Sequence, residues 1–251
     1  MIRKIHQLLT SIPMTRKMQR SLVHKVKKGI GAPDAFFDLA QLIRSEKPAA
    51  VLDVGCHVGK TISRILEKNK VQIHGFEPTA SVFEKVSTSF KDNPLVSIHN
   101  FALSNTTGSA TFHCNTNEQT NSLLDNDVGI VSLGDVAKHV GIETIETICL
   151  DDWAEQHQPE GNLIIKSDVQ GAEGLLLEGG RRTFRDRVLG FYSEAQIAPM
   201  YEGQADFFEL QKTLTDLGFF LHNIYPCYHD KHGRALQTDA FWINERVVKD
   251  Q

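Results

Sequence analysis

Asp53, Glu77 and Asp168 each stand at or just beyond the end of a short apolar run and precede a loop. Carboxylates at strand ends are where open α/β sheets hold their ligands. The first of them opens Asp53-Val54-Gly55-Cys56-His57-Val58-Gly59, which runs into a helical stretch. Gly55 and Gly59 permit a tight turn and let a ligand approach the backbone, while the N–H groups of the coming helix are free to meet an anion. A dinucleotide fingerprint wants a glycine where His57 stands, so plain nicotinamide-dinucleotide binding is disfavoured. Asp53 suits a cation instead, such as the ammonium of an amino-acid moiety. Glu77, in Phe76-Glu77-Pro78, lies 22 residues beyond Gly55, close to the spacing of about 20 for a carboxylate that grips ribose hydroxyls. One carboxylate for an ammonium and one for ribose describe S-adenosylmethionine. On its own Glu77 would read as a capping acid before the next helix; its register with the glycine loop favours the ribose role.

The elements that must carry these residues are short apolar runs alternating with helical stretches. Runs fall at Ala49–Val54, Val71–Phe76, Val96–Phe101, Leu163–Lys166, Val188–Tyr192, Phe219–Ile224 and Ala240–Ile243. Helical patterns cover Thr61–Lys68, Ala80–Phe90, Ala172–Glu178 and Ala205–Leu217, the last stopped by Gly218. These predict a doubly wound, mostly parallel seven-stranded α/β sheet of Rossmann-like type, with helices on both faces, over residues 34–251. A segment from about 108 to 147 breaks the rhythm. Ser109–Cys114 and Thr144–Leu150 read as strands there, and long insertions of this kind serve function or move. Before the sheet, residues 1–33 read as two amphipathic helices parted by Pro13, with Ile2, Ile5, Leu8, Leu9 and Ile12 on one stripe and Met14, Met18, Leu22 and Val26 on the next.

Charge is concentrated in the same place. Residues 1–33 hold eight of the 27 basic side chains and no acid, leaving 19 basic against 31 acidic side chains in the remainder. Such a body does not coat nucleic acid. The basic helices of residues 1–30 offer a surface for a membrane or protein contact, if they do not pack on their own domain. With 251 residues, 41% apolar and 23% charged, the chain can bury a full core. No run reaches the ~18 apolar residues that cross a bilayer, and no secretory signal is evident, so a cytoplasmic protein is expected. Cys56, Cys114, Cys149 and Cys227 match neither a zinc pattern nor a short disulfide framework and are read as reduced.

Together these blocks resemble the FkbM-type S-adenosylmethionine-dependent methyltransferases. The resemblance is carried by Asp53–Gly59, Phe76-Glu77-Pro78, Asn100-Phe101-Ala102-Leu103-Ser104 with Gly108, Cys149-Leu150-Asp151-Asp152-Trp153, and Ile165-Lys166-Ser167-Asp168-Val169-Gln170-Gly171-Ala172-Glu173. It spans about Val51 to Asn244, and the order and spacing of five blocks make it specific. Two positions depart from the family pattern, which has an acid at Gln170 and an apolar residue at Ser167. The resemblance implies methyl transfer from S-adenosylmethionine to a hydroxyl of a sugar, glycolipid, polysaccharide or secondary metabolite. It implies cofactor contacts from Asp53, Gly55, Cys56, His57, Gly59, Glu77, Pro78, Ala102 and Asp168.

An alcohol needs its proton removed, so a base is expected beside the transferred methyl. Asp168 is the first candidate, with a helix N-cap as its alternative. Glu194, which the resemblance also marks, is the second, and Lys166 on the same strand as Asp168 is placed to pair with it or with the acceptor. Glu173 favours the helix macrodipole whatever else it does. No metal is assigned: Asp168 with Glu194 lacks a dense acidic set, and Cys227, His229 and His232 read as a polar loop. Asn121, Ser122, Glu173 and Tyr201 are the candidate acceptor contacts, the neutral amides suiting a polyhydroxyl compound and Tyr201 a sugar ring. The rival readings are a nicotinamide-dependent oxidoreductase and a non-catalytic adaptor.

Overall fold

The computed structural model describes residues 34–126 and 138–247. The expected N-terminal helices, with residues 127–137 and 248–251, lie outside the described residues. In chain order the elements are α1 (Ala35–Glu46), β1 (Ala50–Val54), α2 (Lys60–Leu66), β2 (Gln72–Phe76), α3 (Ala80–Phe90), β3 (Val96–His99), β4 (Ala102–Ser104) and β5 (Gly108–Asn115). After a 3₁₀ turn at Glu118–Thr120 come β6 (His139–Cys149), α4 (Leu150–His157), β7 (Leu163–Ser167), α5 (Glu173–Gly179), α6 (Arg181–Arg187) and β8 (Val188–Gln196). The chain then forms α7 (Phe207–Asp216), β9 (Phe219–Ile224), β10 (Tyr228–His229) and β11 (Ala235–Asn244).

All seven expected runs lie in one sheet, ordered β10-β11-β8-β7-β1-β2-β3, with β9 also paired to β11. The core from β8 to β3 is parallel, and β11 runs antiparallel to β8. Short β10, expected as loop, makes this an eight-stranded sheet. β1 and β7 are buried along their whole length, which is why they read as continuous apolar runs rather than alternating ones. Successive side chains nevertheless face opposite layers. Leu52, Val54 and Ile165 join Trp153, Leu176, Phe184 and Leu214 under α4 to α7. Val51, Ile73 and Ile164 join Leu39, Ile43, Ile62 and Val86 under α1 to α3. Because β1 pairs with β2 on one side and β7 on the other, the strand order reverses beside it, and the carboxyl ends of β1 and β7 open the crevice where such sheets bind ligands.

Several elements differ from expectation. The run Val96–Phe101 stops as a strand at His99, because the Asn100 amide donates to the carbonyls of Glu77 and Pro78 and turns the chain away. It re-enters as β4 in a second sheet of order β4-β6-β5, which the insertion builds. Helices α1, α4 and α6 were not anticipated. For α6 the reason is a cap from across the fold. Its N-cap Gly180 has no side chain, and Asp151 of α4 accepts from the N–H groups of Arg182 (3.1 Å) and Thr183 (2.7 Å) instead. α7 shows the opposite case, a capping box written locally by Asp206 and Glu209.

Candidate active site

At that crevice lies a cavity of about 360 Å³, within the range of small-molecule sites. One wall is the β1 loop, with Val54, Gly55 and His57; a second is Phe76, Glu77, Pro78 and Thr79 beyond β2. Asp168, Val169 and Gln170 beyond β7, with Glu194 of β8, close the far end. Asn117, Glu118 and Asn121 of the insertion lie over it.

The β1 loop can sit so close to the next strand only because of a glycine. Asp168 extends the β1–β7 pairing by donating its N–H to the Val54 carbonyl at 3.0 Å. A Cβ on Gly55 would then stand 2.0 Å from the Asp168 carbonyl oxygen, and the Gly55 φ is +75°. Gly59, at φ +76°, opens α2, and a Cβ there would meet the Phe90 ring at 2.3 Å. Between them His57 takes a left-handed φ of +47°. Its N–H donates to Glu77 Oε2 at 3.1 Å, and burial holds its imidazole below the usual pKa. Glu77 Oε1 accepts from the Thr79 N–H at 2.9 Å. Burial pushes the Glu77 carboxyl up and these backbone donors pull it down. The carboxylate is thus held by backbone at the cavity edge with acceptor capacity left for hydroxyls. Ala102, Leu103, Phe112 and Leu123 supply the apolar part of the lining beside it.

Asp53 stands apart from the cavity. Its side chain is fully buried and does not open into the cavity. In the β1–β7 register Asp53 lies opposite Lys166, whose Nζ sits 3.4 Å from Asp53 Oδ1 and 3.6 Å from Asp168 Oδ2. The cation facing Asp53 is therefore part of the chain. Burial raises the Asp53 carboxyl to about 6 against the pull of Lys166. For Lys166, burial works against the charge, but Asp53 and Asp168 outweigh it and hold the ammonium protonated.

Asp168 does not cap α5, whose N-cap is Ala172 without a side-chain bond. It lines the cavity, and its Oδ1 accepts from Gln170 Nε2 at 2.7 Å. The same amide nitrogen lies 3.3 Å from Glu194 Oε1, and Gln170 Oε1 accepts from the Tyr201 hydroxyl at 2.9 Å. Gln170 thus spans both carboxylates, in the place where the family pattern has an acid. Glu194 also accepts from Gln196 (3.2 Å) and Gln237 (2.6 Å). Burial, then the charges of Asp168, Glu173 and Asp239, push its carboxyl up to about 8.

Of the expected site residues, Gly55, His57, Glu77, Pro78, Ala102, Asn121, Asp168 and Glu194 line the cavity, whereas Cys56, Gly59, Lys166, Ser122, Glu173 and Tyr201 do not. Three of the four acceptor contacts change role. Tyr201 is 2% exposed, so it orients Gln170 rather than stacking on a sugar. Ser122, 1% exposed, donates to the Gln170 carbonyl at 2.8 Å and clasps the insertion to the loop after β7. Glu173 is fully buried behind that loop, accepting from the Val169 N–H at 3.2 Å, and burial raises it to about 7. Sequence reasoning missed Thr79, Glu118 and Phe112 as lining. The one signal for Glu118 was its position inside the amide-rich run 115–121.

The residues present fit S-adenosylmethionine: a glycine cradle that a Cβ would fill, a backbone-held carboxylate for the ribose, and apolar walls for a flat ring. The parallel sheet with its antiparallel β11 is a Rossmann-like α/β fold, and the class of S-adenosylmethionine-dependent methyltransferases is set by the family the sequence matches. The family model of the methyltransferase FkbM domain matches residues 53–221, and the chain belongs to that family. A relative, the 2-O-methyltransferase NoeI of Sinorhizobium fredii, is 28% identical over 187 residues, covering 70% of this chain and 76% of its own. Among solved structures, magnesium protoporphyrin IX methyltransferase (ChlM) of Synechocystis PCC 6803 with bound SAM is 9% identical, covering 94% of this chain and 88% of that one, with a TM-score of 0.42. Fibrillarin of Aeropyrum pernix with natively bound S-adenosyl-L-methionine is 13% identical over 79% of this chain and 67% of that one, also at 0.42. Family membership sets aside the oxidoreductase reading. Among the described residues, no helix is long and apolar enough to cross a membrane.

Proposed function

We propose that the chain methylates a hydroxyl of a polyhydroxyl acceptor, a sugar or sugar-bearing compound, with Asp168 as the general base. One observation carries the reading. Asp168 stands at the tip of β7 on the cavity wall, with one oxygen on the Gln170 amide and the other 3.6 Å from the Lys166 ammonium.

Bound S-adenosylmethionine supplies a methyl on a sulfonium, electrophilic enough to need no activation by the protein. The protein's part is alignment, worth several kcal/mol, and removal of the hydroxyl proton. Glu77 and the loop from Gly55 to Gly59 fix the nucleoside end. Asp168 accepts the proton as the acceptor oxygen forms its new bond, and Lys166 keeps that carboxylate oriented. Glu194 competes less well as base at neutral pH, because burial and the charge of Asp168 push its carboxyl up and favour its protonated form. It faces the acceptor as a donor. Asn117, Gln119 and Asn121, all on the cavity, supply neutral donors and acceptors for further hydroxyls. The name of the NoeI relative, a 2-O-methyltransferase, supports oxygen as the nucleophile. A non-catalytic adaptor would fit the departures from the family pattern at Gln170 and Ser167, but the Gln170 amide bridging Asp168 and Glu194 favours a working site instead.

The test is transfer of a tritiated methyl group onto cell extracts fractionated into polysaccharide, lipid and small-molecule pools, with Asp168→Asn in parallel. The expected result is labelling of one sugar-containing pool. Asp168→Asn should cut turnover by about 10²-fold or more while S-adenosylmethionine still binds. Normal turnover in that variant would remove Asp168 from the chemistry.

A further inference from the structure

Away from the cavity, the insertion brings together three side chains that no part of the methyl-transfer reading uses. His113 lies on β5, His139 opens β6, and Asp125 sits in the segment that returns past Ser122. One ligand atom from each lies within 4.8 Å of the other two. The His113 and His139 rings stand 5.8 Å apart between centroids, and His113 Nδ1 is 3.5 Å from Asp125 Oδ1. None of the three lines the cavity.

We propose that His113, Asp125 and His139 bind a divalent transition ion, with Zn²⁺ as the best match, which clasps the insertion in place. Tetrahedral coordination with bonds of about 2.0–2.2 Å sets ligand atoms roughly 3.4 Å apart. The side chains need close by little more than an ångström to reach it. His113 Nδ1 is buried and makes no hydrogen bond, a state that protein interiors rarely leave uncompensated and that a metal bond relieves. Two imidazoles and one carboxylate are a borderline donor set with room left for water, suited to zinc and its neighbours. Calcium and magnesium want oxygens throughout.

The clasp has a route to the catalytic groups. The Asp125 carbonyl accepts from the Glu202 N–H at 2.8 Å, and Asn126 is bridged to Tyr201. Tyr201 in turn orients Gln170 between Asp168 and Glu194. An ion on Asp125 steadies that chain of contacts without touching the acceptor.

Calorimetric titration of the full chain with Zn²⁺, with Co²⁺ as an absorbing probe of the same site, tests this independently of methyl transfer. The expected result is one saturable ion per chain and a Co²⁺ spectrum of nitrogen and oxygen ligands without a thiolate band. Asp125→Asn and His139→Gln alter exposed side chains. Each should weaken the ion by about tenfold or more, as even outer-sphere changes do at metal sites, while S-adenosylmethionine affinity measured alongside reports that the fold is intact. Absence of saturable Zn²⁺ binding, equal affinity in both variants, or a thiolate band placing the ion on a cysteine would each overturn the assignment.

Discussion

Replacing Lys166 by methionine tests the reassignment of Asp53 most directly. Asp53 is fully buried, and neither of its carboxylate oxygens makes a hydrogen bond. Lys166 Nζ, 3.4 Å away, is the countercharge that offsets its burial. Breaking a buried pair by removing one partner costs about 3–5 kcal/mol. At about 2–4 °C per kcal/mol for a chain of this size, melting should fall by roughly 6–20 °C at pH 8. The loss must also depend on pH. With Lys166 present the Asp53 carboxyl is already raised to about 6, and without it the rise must be larger. A carboxyl whose folded pKa is raised adds stability below its unfolded value of about 3.9 and loses it as pH climbs through the folded value. The deficit of Lys166→Met should therefore be large at pH 8 and shrink towards pH 4, where Asp53 takes up a proton in both states. Urea unfolding across this range is the assay, and Asp53→Asn combined with Lys166→Met should remove most of the pH dependence. A Lys166→Met protein as stable as the parent at pH 8, or a deficit flat with pH, would refute the reasoning and return Asp53 to a bound ammonium.

Two further outcomes follow from the cavity groups. Glu77→Gln keeps one carbonyl for the His57 and Thr79 N–H groups but turns an amide N–H₂ towards the other. Its S-adenosylmethionine affinity should fall by about 1.5–3 kcal/mol, some 10- to 150-fold, by calorimetry; an unchanged Kd would take Glu77 out of ribose binding. Glu194, raised from 4.5 to about 8, holds more protons in the folded than in the unfolded state between those values, so it lowers stability as pH rises through that window. Glu194→Gln should flatten this decline, at about 1.4 kcal/mol per pH unit at most, and should abolish the loss of kcat/KM above pH 8 that a required Glu194 proton imposes. A parent profile without that alkaline limb would count against the donor role.

The parts of the fold legible in the sequence were those written by local rules. Seven apolar runs became the seven principal strands, most plainly β1, β7 and β8, which are buried on both faces and so need only apolar residues in succession. The loop opened by Gly55 and the acids Glu77 and Asp168 lie at the crevice because strand ends and the glycines beside them are near neighbours in sequence. α6 was not visible, since its cap is Asp151, contributed by another helix. Nor were Glu118 and Phe112, which line the cavity through folding of the insertion, or Thr79, which reaches it from the loop beyond β2.

What the amino-acid order determined alone was the sheet, its crevice and the acids facing that crevice. Tertiary structure decided which group each acid meets. Parallel pairing of β1 with β7 sets Asp53 opposite Lys166, and the loop before α7 turns Tyr201 inward onto Gln170. A carboxylate or a phenol is equally able to serve a ligand or its own chain. Strand register and burial make that choice, and both depend on contacts between residues far apart in sequence.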